Sequence, residues 1–139
     1  MKVSKLAFVL LIVWQLPQLL VGFILSQIFR DHSEISYPGT HNGFTAMKCR
    51  TEFSFCFSLG WYVFAPQCVN DEVLKHEIGH SIQSRYLGPA YLIVIGLTSL
   101  VLFWMRRLLK KDMQWYHSHF PENWANKLGN VRSEFYNPN

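Results

Sequence analysis

His76-Glu77-Ile78-Gly79-His80 reads His-Glu-x-x-His, and on a helix its two histidines stand one turn apart on one face. Two neutral imidazoles so placed can bind one metal ion, with the Glu77 carboxylate beside it. Such a pair leaves room for one further protein ligand and a water. Zn2+ lowers the pKa of that water and Glu77 can take its proton, so the implied chemistry is metal-assisted hydrolysis. Five-residue matches also arise by chance, and two histidines on a polar helix face are often surface residues. The surroundings favour a site: Asp71 can cap a helix over residues 71–86, Gly79 keeps one side of it slim, and Gly88-Pro89 ends it.

A third ligand has to come from elsewhere. In the aromatic, polar tail, Pro121 opens and Gly129 closes a short helix over 121–128 that carries Glu122 in its first turn. Spacing and chemistry make Glu122 the leading third ligand, with His119 and Glu72 as rivals. Glu72 shares the His76/His80 face, but a ligand one turn earlier on the same helix closes a tetrahedron poorly. His32 and His41, in the polar link after the first apolar stretch, are more remote choices. Tyr116, His117 and His119, close to Glu122 in the chain, are candidates for stabilising a transition state.

The elements that must position these groups follow from composition. At 139 residues the chain is one domain's worth, and half of it is hydrophobic. The apolar residues gather in stretches 6–29 and 90–106, each close to the ~20 residues that cross a bilayer. Residues 6–29 are too long for a signal peptide and lack a small-residue cleavage pattern, so a membrane helix kinked at Pro17 is expected. Between the two stretches, Phe53, Phe55, Phe57 and Leu59 alternate with polar residues, which predicts two or three short antiparallel strands within 44–64. The expected fold is therefore an α+β membrane protein: membrane helix, small sheet, metal helix, a second membrane segment that crosses or re-enters, and a C-terminal helix.

The net charge of +4 is modest, and Arg106, Arg107, Lys110 and Lys111 follow the second apolar stretch directly. That cluster suits anionic lipid headgroups and not nucleic acid, and it places the metal site on the cytosolic side of the cell membrane. The three cysteines, Cys49, Cys56 and Cys68, are odd in number and form no CxxC, which argues for reduced thiols. Topology makes a demand of its own. A straight crossing by 90–106 would leave His80 and Glu122 on opposite faces, so a shared ion requires that segment to bend back, for example near Gly96-Leu97-Thr98-Ser99.

Glu122-Asn123-Trp124-Ala125-Asn126 resembles the gluzincin pattern, in which a helix after HExxH supplies a glutamate ligand and, four residues on, an aspartate that orients a metal-bound histidine. Glu-x-x-Ala with apolar segments between the motifs resembles the membrane-embedded gluzincins of the CAAX-prenyl-protease and heat-shock metallopeptidase type. Asn126 stands where those proteins have aspartate; its amide oxygen can accept an imidazole N–H, without the charge. The wording WQLPQLLVGFIL, KHEIGHSIQSRYLGPAYLIVIGLTSL and FPENWANKLGNV is also similar to small bacterial membrane proteins with HExxH, over most of the chain. The resemblance implies a zinc metallopeptidase acting on an unspecified peptide or protein. Two other classes remain open: a membrane protein whose metal only staples its helix, and a small scaffold or accessory subunit.

Overall fold

The computed structural model describes residues 4–29, 31–36 and 45–136, so His41 and the Pro38-Gly39 and Asn42-Gly43 pairs, where the sequence predicts turns, lie outside the described residues. The fold is α+β: helices α1 (Lys5–Trp14) and α2 (Leu16–Ile28), strands β1 (His32–Ser36), β2 (Thr45–Arg50), β3 (Phe57–Leu59) and β4 (Tyr62–Ala65), then α3 (Asp71–Leu87). A 3-10 turn (Gly88–Ala90) and a π-helical stretch (Leu92–Leu97) lead into α4 (Thr98–Leu108), followed by α5 (Met113–Ser118), α6 (Glu122–Leu128) and α7 (Ser133–Tyr136).

The expected membrane helix over 6–29 is not one helix. Pro17, in the first turn of α2, has no N–H to continue the ladder and its ring crowds the carbonyl one turn back, so the chain breaks at Gln15 and α1 meets α2 at 85°. The second apolar stretch is also broken: Leu92–Leu108 folds back on Asp71–Ala90 at 118°. No single helix among the described residues is long and apolar enough to cross a membrane, although each bent pair together has the length and composition. The reversal lies at Ala90–Leu92 and not at residues 96–99, and it carries the chain back toward α3.

The sheet differs as well. Its order is β1-β2-β4-β3, with β1/β2 and β3/β4 antiparallel but β2/β4 parallel, so it is mixed. His32 belongs to β1, a strand in what reads as a polar link. Phe53 and Phe55, whose alternation suggested a strand, sit in bends and stack on each other 5.1 Å apart, outside any ladder.

The core joins sheet to metal helix. Leu74, Ile78 and Ile82, at successive turns of α3, pack on Ala46 of β2 and Val63 and Ala65 of β4. That choice of face turns His76 and His80 the other way, toward α6. Asn70, and not Asp71, caps α3, its side chain accepting from the Glu72 N–H at 2.8 Å. At the far end, Trp14 Nε1 donates to Arg85 O at 3.0 Å, and Gln18 donates to Ser84 Oγ and Gly88 O, each at 2.9 Å. Ser84 in turn donates to Gln15 Oε1 at 2.9 Å. Of the glutamines flanking Pro17, Gln18 thus donates to the Gly88 carbonyl at the end of α3 and Gln15 accepts the Ser84 hydroxyl, more than an ordinary kink requires.

Candidate metal centre

The site is made where α3 and α6 touch. A Cβ on Gly79 would stand 2.0 Å from Ala125 O, and one on Gly129 would stand 1.9 Å from Lys75 O. Two glycines therefore bring the helix backbones into direct contact at the middle and at the C-terminal end of α6. That approach carries Glu122, at the start of α6, over the imidazoles of His76 and His80.

The resulting cluster is tight and buried. Glu122 Oε2 lies 3.0 Å from His76 Nε2 and 3.1 Å from His80 Nε2, and the two Nε2 atoms are 3.1 Å apart. His76, Glu77, His80 and Glu122 are all buried. The other ring nitrogens are held by amides: His80 Nδ1 by Gln83 Oε1 at 2.8 Å, and His76 Nδ1 by Asn126 Oδ1 at 2.6 Å. Each amide's own NH2 donates to a carbonyl, Gln83 to Pro121 O at 3.0 Å and Asn126 to His117 O at 3.4 Å. A carbonyl can only accept, so the amide oxygens face the rings and each Nδ1 carries the proton. Both Nε2 lone pairs then point at Glu122.

Three lone-pair atoms at that spacing repel one another unless a cation lies among them. A proton is one such cation. Burial alone would lower the basicity of His80, but the Glu122 carboxylate outweighs it and raises its pKa to about 9. Glu122 is affected in reverse: burial disfavours its charge, yet His80 and His76 hold the carboxyl well below the usual range. A metal ion is the other. Ligands ~2.0–2.1 Å from a tetrahedral ion stand about 3.3 Å apart, so the 3.0–3.1 Å separations suit two nitrogens and one oxygen around one ion.

His117 is the neighbour that the sequence does not single out as a ligand. Its ring stands edge-on to His76, with centroids 4.8 Å apart, and ligand atoms of His76, His117 and Glu122 all lie within 4.8 Å of one another. Burial and the adjacent His76 depress its pKa to about 3, leaving a neutral imidazole. A metal ion can therefore be held by this buried group, with His76 and Glu122 common to both sets of three. The set containing His80 is the closer packed.

Other sequence candidates fall in different places. His119 is exposed and its Nδ1 approaches Trp115 O at 2.6 Å, so it finishes α5 and does not face the cluster. Glu72 accepts from Lys75 at 2.8 Å and from the Arg132 side chain and N–H at 3.0 and 2.7 Å, which ties the tail to α3 and uses both its oxygens. His32 approaches Ser26 O at 2.8 Å, at the end of α2. Tyr116 reaches Ser99 Oγ at 2.8 Å, and Ser99 in turn donates to Glu122 Oε1. Glu77 is anchored from the sheet: the Ser58 hydroxyl lies 2.6 Å from its Oε2 and 2.8 Å from its backbone carbonyl, and Tyr91 donates to Ser58 O at 3.0 Å.

Gln83, Ser58, Tyr91 and Ser99 are the supporting residues that the sequence reading lacks. Only Gln83 carries a local signal, one turn beyond His80 on the same helix. The others arrive through the hairpin and the 118° reversal, which no spacing rule encodes. No family model, curated protein or solved structure matches this chain.

Proposed function

We propose that the chain is a zinc-dependent metallopeptidase of gluzincin-like design, in which His76, His80 and Glu122 hold the ion. The observation that carries this reading is the convergence of two Nε2 lone pairs and Glu122 Oε2 within 3.1 Å, beside the buried carboxylate of Glu77. When bound, zinc supplies the Lewis acidity that lowers the pKa of a coordinated water and polarises a scissile carbonyl. Glu77 takes the proton of the attacking water and returns it to the leaving amine. Ser58 fixes the Glu77 carboxylate, and Asn126 and Gln83 fix the tautomers of the two histidines. His117 stands nearby as a group to stabilise the developing oxyanion.

Zinc-loaded protein should therefore hydrolyse unstructured peptides. Glu77→Gln should keep its zinc while losing ~100-fold or more in turnover. Undiminished turnover in Glu77→Gln would remove Glu77 as the base, and loss of zinc from it would make Glu77 a ligand.

A second reading rests on His117. If it joins His76, His80 and Glu122, four protein ligands close the coordination sphere and the ion is structural. Peptide hydrolysis by the zinc-loaded wild type separates the two.

We also propose that the protein contacts membrane lipid through its bent helix pairs. Large apolar residues are exposed along α1 and α2, including Leu6, Val13, Phe23 and Ile28, and along the α4 region, including Ile93, Leu97 and Leu108. The basic cluster at the end of α4 supports the anionic, cytosolic face.

A further inference from the structure

The two oxygens of Glu122 have different neighbours. Oε2 faces the imidazoles of His76 and His80, whereas Oε1 receives the Ser99 hydroxyl. A carboxylate can only accept, so the single Ser99 proton goes to Glu122, and the Tyr116 hydroxyl 2.8 Å away donates to Ser99. This is a directed chain, Tyr116 to Ser99 to Glu122. Ser99 is carried by the inward face of the reversed segment, along with buried Tyr91, Ile95 and Leu102. Large residues on the other face, such as Leu97, Leu100 and Trp104, are exposed.

We infer that Ser99 is a positioning residue: by engaging Oε1 it makes Glu122 a one-oxygen ligand and so keeps a coordination position open for substrate or water. This rests on the metal-centre reading above and extends it to the question that separates a catalytic from a structural ion, namely the number of ligand atoms. A carboxylate freed from such a partner can turn and bind through both oxygens, which fills the open position. Tyr116 acts behind Ser99 by fixing which way its hydroxyl points. The function of the reversal is thus to bring a hydroxyl to the far side of a ligand that α6 supplies.

The test uses Co2+ as a spectroscopic probe in the full-length protein, because its visible absorption weakens as the coordination number rises above four. Wild type should bind one Co2+ with strong, four-coordinate absorption. Ser99→Ala should weaken the absorption and change Zn2+ affinity by ~10- to 100-fold in chelator competition, as loss of a partner behind a ligand generally does. Ser99→Thr, which keeps the hydroxyl, should restore the wild-type spectrum. Should Ser99→Ala fail to fold, the near-isosteric Ser99→Cys, a weak donor, is read in its place with the same expectation. Wild-type spectrum and affinity in Ser99→Ala or Ser99→Cys would overturn the positioning role while leaving the metal centre standing. Failure of the wild type to take up Co2+ or Zn2+ would instead remove the metal centre itself.

Discussion

Two imidazoles and a carboxylate, all taken out of water, are held 3.0–3.1 Å apart by groups that have no other evident reason to meet. The amides of Gln83 and Asn126 decide the tautomers, and their anchors on Pro121 O and His117 O decide the amides. His76 donates to Asn126 over a short 2.6 Å, and the acceptor is an uncharged amide oxygen. Asn126→Asp places a charge there and should leave zinc affinity unchanged or tighten it by up to ~10-fold, whereas Asn126→Ala should weaken it by ~10- to 100-fold. Chelator competition on the two proteins decides the matter, and equal affinity in both would detach Asn126 from the site. At this scale the chain is readable where chemistry has a fixed spacing. His76, Glu77 and His80 announce themselves, Glu122 follows from the short helix between Pro121 and Gly129, and Asn126 follows only from the resemblance to the gluzincin pattern. His117 does not, because a histidine between a tyrosine and a serine in an aromatic tail has the same signature whether it faces metal or solvent.

The span of helix α3 is written in the chain up to Gly88-Pro89, although its cap is Asn70 and not the expected Asp71, and α6 lies between Pro121 and Gly129. What local signals do not encode is that the two must touch. Gly79 and Gly129 have no slack: added methyls would meet the backbone oxygens of Ala125 and Lys75, which cannot step aside as a flexible side chain can. Gly79→Ala should cost ~1–3 kcal/mol or more in urea denaturation, and the same displacement of α6 should weaken zinc binding. Gly96→Ala is the control, since its Cβ would meet nothing within 4 Å, and it should be neutral or slightly stabilising. Equal stability of the two variants would mean that α3 and α6 are not in backbone contact. The strands were less legible for a related reason. Period-two alternation at Phe53 and Phe55 is satisfied here by stacked aromatic rings in a bend, and the parallel pairing of β2 with β4 is a long-range choice.

At the scale of the molecule, hydropathy identified the apolar stretches but not their shape. A window of apolar residues has the same mean whether it is straight or folded at 85° or 118°, and the glutamines beside Pro17 are spent on α3 instead of a continuous ladder. The reversal removes the topological obstacle to a shared ion by returning the chain to α3. It also leaves Leu97, Leu100, Val101, Trp104 and Leu108 exposed at helical spacing, with Arg106, Arg107, Lys110 and Lys111 near the end. Protein exchanged from detergent should therefore float with vesicles of phosphatidylcholine and phosphatidylglycerol. It should do so less with phosphatidylcholine alone, or after Leu100→Glu with Trp104→Glu. Flotation that is indifferent to both changes would exclude this face as the lipid contact.

The central claim is that one ion is shared by α3 and α6, and a zinc titration in chelator competition addresses it most directly. Wild type should bind one zinc per chain, and His76→Ala, His80→Ala and Glu122→Ala should each lose stoichiometric binding while retaining the wild-type circular dichroism spectrum. Full-affinity zinc binding by Glu122→Ala would contradict the account, because the ion would then be held without α6.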